Sequence, residues 1–175
     1  MRSALLALLL LTATLSFAHA SDWLSWRKVG TSTLSWGPFT IYTAQLLTAD
    51  GRYDGPGQNK ALVITYKRNI QRSELVNATR EQWQALGIPG REAHSEDWLN
   101  MLHALWPDVT PDAQLAFVLH DRQGQFWYRA SASQKSFMPL GPRQSEAFSA
   151  NFLAIWLSPD TQYPELRQQL IGGHK

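Results

Sequence analysis

The chain has 175 residues, no cysteine and a formal net charge of +2. That length suits one domain with an ordinary apolar core, and the missing cysteines exclude a disulfide scaffold. No run of Lys or Arg is long enough to follow a phosphate backbone, which argues against nucleic acid as a partner.

In chain order, Arg2, the apolar run Ala4 to Phe17 and the small residues Ala18 and Ala20 around His19 form the pattern of a cleavable secretory signal. The run falls short of the roughly 20 apolar residues that a transmembrane helix needs. The expected organisation is a leader over 1–20 and a single domain over 21–175. The mature protein is expected in a bacterial periplasm, soluble or in peripheral contact with a membrane. Removal of Arg2 leaves 15 basic against 14 acidic side chains. Eight tryptophans recur near the ends of elements, and core packing accounts for them more simply than ligand contact.

Two stretches rich in β-branched and aromatic residues follow, Thr33 to Thr48 and Ala61 to Ile70. The Gly/Pro/Asp cluster from Ala49 to Gly57 separates them, so both are predicted as strands of one sheet. Leu75, Thr79, Trp83 and Leu86 recur at helical spacing, with Ser73 as a cap and Gly87 as a stop. A second helix is predicted from Glu96 to Trp106, capped by Ser95 and ended by Pro107. Gln114 to Leu119 and Gln125 to Ala130 read as a hairpin turning at Asp121-Arg122-Gln123-Gly124, with Gly124 expected at positive φ. A loop holding Pro139, Gly141 and Pro142 leads to a long apolar helix capped by Ser145 and closed by Pro159. Pro164 opens a last short helix ending near Gly172. Strands and helices in blocks predict an α+β domain, with helices on one face of a mainly antiparallel sheet.

The chemistry-bearing patterns are sparse. His94, His103, His120 and His174 have no metal-ligand spacing, and neither a glycine-rich phosphate loop nor a GxSxG elbow is present. No metal, cofactor or catalytic set is therefore assigned. Glu96 and Asp97 fall in a first helical turn, where negative charge meets the helix dipole. Asn77-Ala78-Thr79 matches a glycosylation acceptor by chance, inside a predicted helix. The strand Ala61 to Ile70 is more informative, because alternation places Ile64, Tyr66 and Arg68 on one face. A phenol and a guanidinium beside apolar neighbours suit a ligand with an anionic head and a greasy body. The competing reading is that Arg68 lies at the strand end and meets solvent.

The chain resembles the bacterial chalcone isomerase-like family of exported proteins. The resemblance rests on Val29-Gly30 followed by FTIYTAQLLTADGRY, then ALVITYKRNI, EQWQALG, EDWLNMLHALWPDV and FLAIWLSPDTQYPELRQQLIG. It implies an open-faced β-sandwich whose sheet and helices enclose an apolar cleft. Plant chalcone isomerases close a flavanone ring with an arginine, a threonine, a tyrosine and an asparagine in that cleft. Thr43 matches the threonine. The arginine position falls on Thr31, and the tyrosine and asparagine positions fall on Gln71 and Ala78, with Asn77 one residue away. Losing a positioned charge typically costs about 10²-fold to 10³-fold in rate, which weighs against isomerisation. Relatives lacking the catalytic set resemble fatty-acid binders. The expectation is a non-catalytic periplasmic protein holding a fatty acid or similar small amphiphile, with Thr43, Tyr66, Arg68 and Asn77 as ligand contacts. The alternatives are an isomerase or intramolecular lyase acting on an enone-like substrate, and an interaction domain whose cleft is filled by its own Trp83 or Trp156.

Overall fold

A computed structural model describes residues 22–173. The leader expected over Met1 to Ala20 and the histidine at 174 lie outside the described residues. The architecture is α+β: a six-stranded, wholly antiparallel open sheet in the order β1-β2-β3-β4-β5-β6, with four α-helices. The strands are β1 (Arg27–Trp36), β2 (Phe39–Thr48), β3 (Lys60–Tyr66), β4 (Gln114–His120), β5 (Gln123–Arg129) and β6 (Met138–Leu140). The helices are α1 (Arg72–Ala85), α2 (Ser95–Leu105), α3 (Glu146–Leu157) and α4 (Pro164–Leu170).

The stretch Thr33 to Thr48 is not one strand. It is a hairpin folded at Gly37 and Pro38, where Gly37 adopts φ of 55°. The strand β1 begins at Arg27, earlier than its composition suggests, because RKVGTSTLSW at the sheet edge carries few large apolar residues. Trp36 and Phe39 flank the turn and are both largely exposed. The third strand stops at Tyr66 instead of reaching Ile70, which instead bridges Val109. The short β6 forms across Pro139, and its place at the sheet edge explains how a residue without an N–H donor is tolerated.

Register fixes two faces. Ser32, Ala44, Ile64, Leu115 and Tyr128 stand in one cross-strand row, and the helices lie over the apolar members of that face. Strands β3 and β4 are apolar on both sides, since Ala61, Val63, Ala116 and Val118 point the other way. That second face is covered by Trp23, from a 3-10 turn over Asp22–Ser25, together with Trp26, Trp127 and Phe137.

Helix α4 lies close against β1: a Cβ on Gly30 would fall 2.0 Å from the Gln169 carbonyl oxygen, and the Ser32 hydroxyl donates to Gln169 Oε1 at 2.7 Å. The helix caps follow local hydrogen bonding. Helix α1 starts at Arg72, where the Asp108 carboxylate accepts its N–H and Glu74 accepts that of Gln71, so Ser73 is an internal residue and not the cap. Ser95 likewise falls inside the first turn of α2, after His94. Ser145 caps α3 as expected, accepting from the Phe148 N–H at 3.1 Å, and Pro164 occupies the first turn of α4. At the β4–β5 turn the positive φ falls on Asp121 (50°) and Arg122 (64°), the pattern of a two-residue type I′ turn. Gly124 instead sits in β5 under the Phe117 ring.

Lys60 opens β3 with no exposed surface. Its ammonium donates to the carbonyls of Pro56 (2.7 Å) and Gln58 (2.5 Å), clipping the preceding loop, and lies 5.7 Å from the centre of the Tyr53 ring. Burial lowers its pKa from 10.5 to about 8. Between those values the unfolded chain holds a proton that the folded chain has released, so stability rises with pH there. Above pH 10 the buried tyrosines reverse the trend, because their raised pKa values keep protons the unfolded chain has lost. Urea unfolding across pH 7 to 11 is expected to give maximal stability near pH 10. Lys60→Met is expected to flatten the rising limb by removing about 1–3 kcal/mol of pH-dependent stability, and to speed amide exchange in residues 51–58. A rising limb of the same height in Lys60→Met would assign it to another group.

Candidate functional site

Between the sheet and the helices lies a cavity of about 260 Å³. That is about nine waters' share of liquid volume. Its floor is the helix-facing side of β1 to β5, with Leu34, Tyr42, Ile64, Tyr66, Leu115, Phe117 and Phe126. Its roof comes from α1 (Leu75, Ala78, Thr79, Gln82) and α3 (Phe152, Ile155, Trp156), and Trp106 and Tyr163 complete the wall. Glu74 and Glu81 of α1 stand at its solvent side, both exposed.

The polar groups in this wall are phenols and their partners. Cross-strand register places Leu34, Tyr42 and Tyr66 in one row over β1, β2 and β3. The rings of Tyr42 and Tyr66 meet edge to face with centroids 6.3 Å apart. The Trp156 indole N–H donates to the Tyr42 hydroxyl at 2.9 Å, which leaves the Tyr42 O–H free to donate in turn. In the same way Gln82 Nε2 donates to the Tyr163 hydroxyl at 3.3 Å. The Tyr66 hydroxyl has no protein hydrogen-bond partner among the described residues, although the side chain is buried. Trp106, also in the wall, has a buried indole N–H without a partner among the described residues. Burial pushes the Tyr42 pKa up to about 12, with the nearby Tyr163 adding to it, and burial raises that of Tyr66 still further. Both phenols therefore stay protonated across the physiological range. Among the described residues, no Lys or Arg lines the cavity.

The residues singled out in the sequence separate at this point. Tyr66 lies in the cavity wall beside Ile64, as the alternation predicts. Arg68 does not. The strand has ended two residues earlier, and the exposed guanidinium sits 5.6 Å from the centre of the Phe39 ring at the β1–β2 tip, so the solvent-facing reading of Arg68 holds. Thr43 points to the opposite face of the sheet. It belongs there to a polar row Thr33–Thr43–Thr65–Gln114–Arg129, in which Arg129 Nε donates to Gln114 Oε1 (2.6 Å) and Gln114 Nε2 to the Thr65 hydroxyl (2.8 Å). Asn77 is exposed on α1 and accepts from Arg80 Nη1 at 3.1 Å, while its neighbour Ala78 lines the cavity. The cavity is not filled by Trp83, which is buried against Trp98 and Phe148 with its indole N–H on the Asn151 carbonyl. Trp156 forms wall and not plug.

The wall roles of Tyr42, Gln82, Trp156 and Tyr163 escape a reading by residue type, Trp156 being expected only as an alternative filler of the cleft. The alternation Tyr42-Ala44-Leu46 marks the first, once the turn at Gly37-Pro38 fixes where β2 begins. The other three lie on separate elements that only the tertiary fold unites.

No family model matches the chain. A curated protein of Haemophilus influenzae, described only as uncharacterized, is 24% identical to it over 166 residues, which span 95% of this chain and 78% of that protein.

Proposed function

We propose that this protein is a non-catalytic binder of a small amphiphile, held in the cavity between the sheet and the helices on a chalcone isomerase-like open-faced sandwich. The observation that carries the reading is the Tyr66 hydroxyl, which has no protein hydrogen-bond partner among the described residues and stands in the wall of a largely apolar cavity. A hydroxyl that faces an apolar space with its donor uncommitted offers a hydrogen bond that a bound acceptor would take up. Apolar walls with a few convergent polar groups are what small-molecule sites are made of. Ring-closing isomerisation receives less support, since Thr43 faces away from the cavity and, among the described residues, no Lys or Arg lines it to stabilise developing charge. Export to a periplasm, expected from the leader, would place such a cavity beside membrane lipids.

The test is mass spectrometry of small molecules that copurify with the native protein, compared with Ala78→Trp. Ala78 is exposed on α1 at the cavity wall, so an indole there would occupy the space at little cost to folding. One amphiphile is expected to be enriched on the native protein and depleted at least tenfold on the variant. Equal recovery from both, or none from either, sinks the binding reading.

A further inference from the structure

Resting on that binding reading, we infer that the head group of the ligand is an uncharged carbonyl-type acceptor, as in a ketone, ester or quinone, and that carboxylates such as free fatty acids are discriminated against. Tyr66 offers its whole hydroxyl, while Tyr42 and Tyr163 each have an incoming N–H on the oxygen and keep their own O–H to give. The phenols thus present donors in the wall of a largely apolar space, and a ligand acceptor completes them.

The charge of that acceptor follows from what surrounds it. A carboxylate taken out of water loses its hydration, and the loss is large unless a cation or several donors replace it. Arg68 stands outside at the Phe39 ring, Arg72 lies 3.6 Å from Asp108, and Arg167 Nε donates to the Leu157 carbonyl at 2.8 Å. The ionisable acids lining the cavity, Glu74 and Glu81, carry the same sign as a fatty-acid head and repel it. A carbonyl satisfies the same donors without either cost. Binding energy and specificity then come from different groups: the aromatic and aliphatic walls hold the body, the phenols select the head, and the acids at the solvent side disfavour an anion.

The experiment compares methyl heptyl ketone with octanoate, which have the same shape and the same number of heavy atoms and differ in a methyl against a charged oxygen. Binding is followed by titration calorimetry at neutral pH on the native protein, Tyr66→Phe and Ala78→Trp. The ketone is expected to bind at least tenfold more tightly than octanoate. Tyr66→Phe should weaken the ketone about 3–10-fold, the loss of one neutral hydrogen bond, while octane solubilised by the same protein stays unchanged. Octanoate binding as tightly as the ketone, or a ketone affinity indifferent to Tyr66→Phe with the thermal midpoint preserved, overturns the inference while leaving the cavity a binding site. Failure of ketone, octanoate and octane alike to bind, or binding that Ala78→Trp leaves intact, overturns the site itself and the inference with it.

Discussion

Gly124→Ala is expected to lower the thermal midpoint by roughly 6–12 °C, the equivalent of about 3 kcal/mol in a domain of this size. A methyl at that position would fall 1.9 Å from Cζ of Phe117, with the two adjacent ring carbons at 2.4 and 2.7 Å. A flexible side chain would swing aside, but this rigid ring must shift as a whole against its aromatic neighbours. Phe117 is buried between Phe126 and Phe152, with centroids 4.6 and 4.8 Å away, and Phe148 lies beyond at 6.1 Å. On its other side, the Gly124 N–H donates to the Ser149 hydroxyl (2.8 Å) and its carbonyl accepts from Gln144 (2.7 Å), so β5 is tied to the start of α3 and cannot retreat either. Gly57→Ala is the control, because there the nearest atom to the added methyl is 3.9 Å away. It should change stability by less than about 0.5 kcal/mol. Thermal unfolding followed by circular dichroism measures both. A midpoint for Gly124→Ala within about 2 °C of the native protein would mean that the Phe117 ring is not confined as described.

Gly124 also marks the boundary of what residue patterns convey. The helices were legible because their signals are local: apolar residues at helical spacing through α1 and α3, Ser145 before α3, Pro164 at the head of α4. The β4–β5 hairpin was legible for the same reason. Which residue of its turn takes positive φ was not, because Gly124, paired with Leu119, is held within β5 where the Phe117 ring lies over it diagonally. The β1–β2 turn hid inside a run of strand-forming residues, since Gly37-Pro38 is too short to interrupt an apolar pattern. The site shows the same division. Ile64 and Tyr66 share a face by simple alternation, whereas Arg68 left that face when β3 ended and the chain turned toward its bridge with Val109. Thr43 stands out only by its resemblance to a motif. Its strand is placed so that Tyr42 and Ala44 face the helices, and one residue of offset along a strand moves a side chain to the other side of the sheet.

Phe152→Ala is expected to separate the stability of the fold from the capacity of the cavity. Phe152 sits at the centre of the aromatic cluster, with Phe117, Phe126 and Trp156 at 4.8, 5.1 and 5.2 Å in tilted or edge-to-face contact, and it also lines the cavity. Truncation removes the buried ring and leaves a void that stiff neighbours cannot fill, at a cost of about 3–5 kcal/mol. Phe152→Leu keeps most of the volume and should cost less than about 1.5 kcal/mol. The same void adjoins the ligand space, so Phe152→Ala should bind a bulkier ketone, such as one with a phenyl group on its chain, more tightly relative to methyl heptyl ketone than the native protein does. Urea unfolding measures the first effect and competition calorimetry the second. A loss below about 1.5 kcal/mol would contradict the packing, because a ring in these contacts cannot leave so cheaply. A bulky-to-slim affinity ratio equal to that of the native protein would mean that Phe152 does not bound the occupied space. A large stability loss together with a higher ratio would tie the cavity wall and the aromatic core to the same side chain.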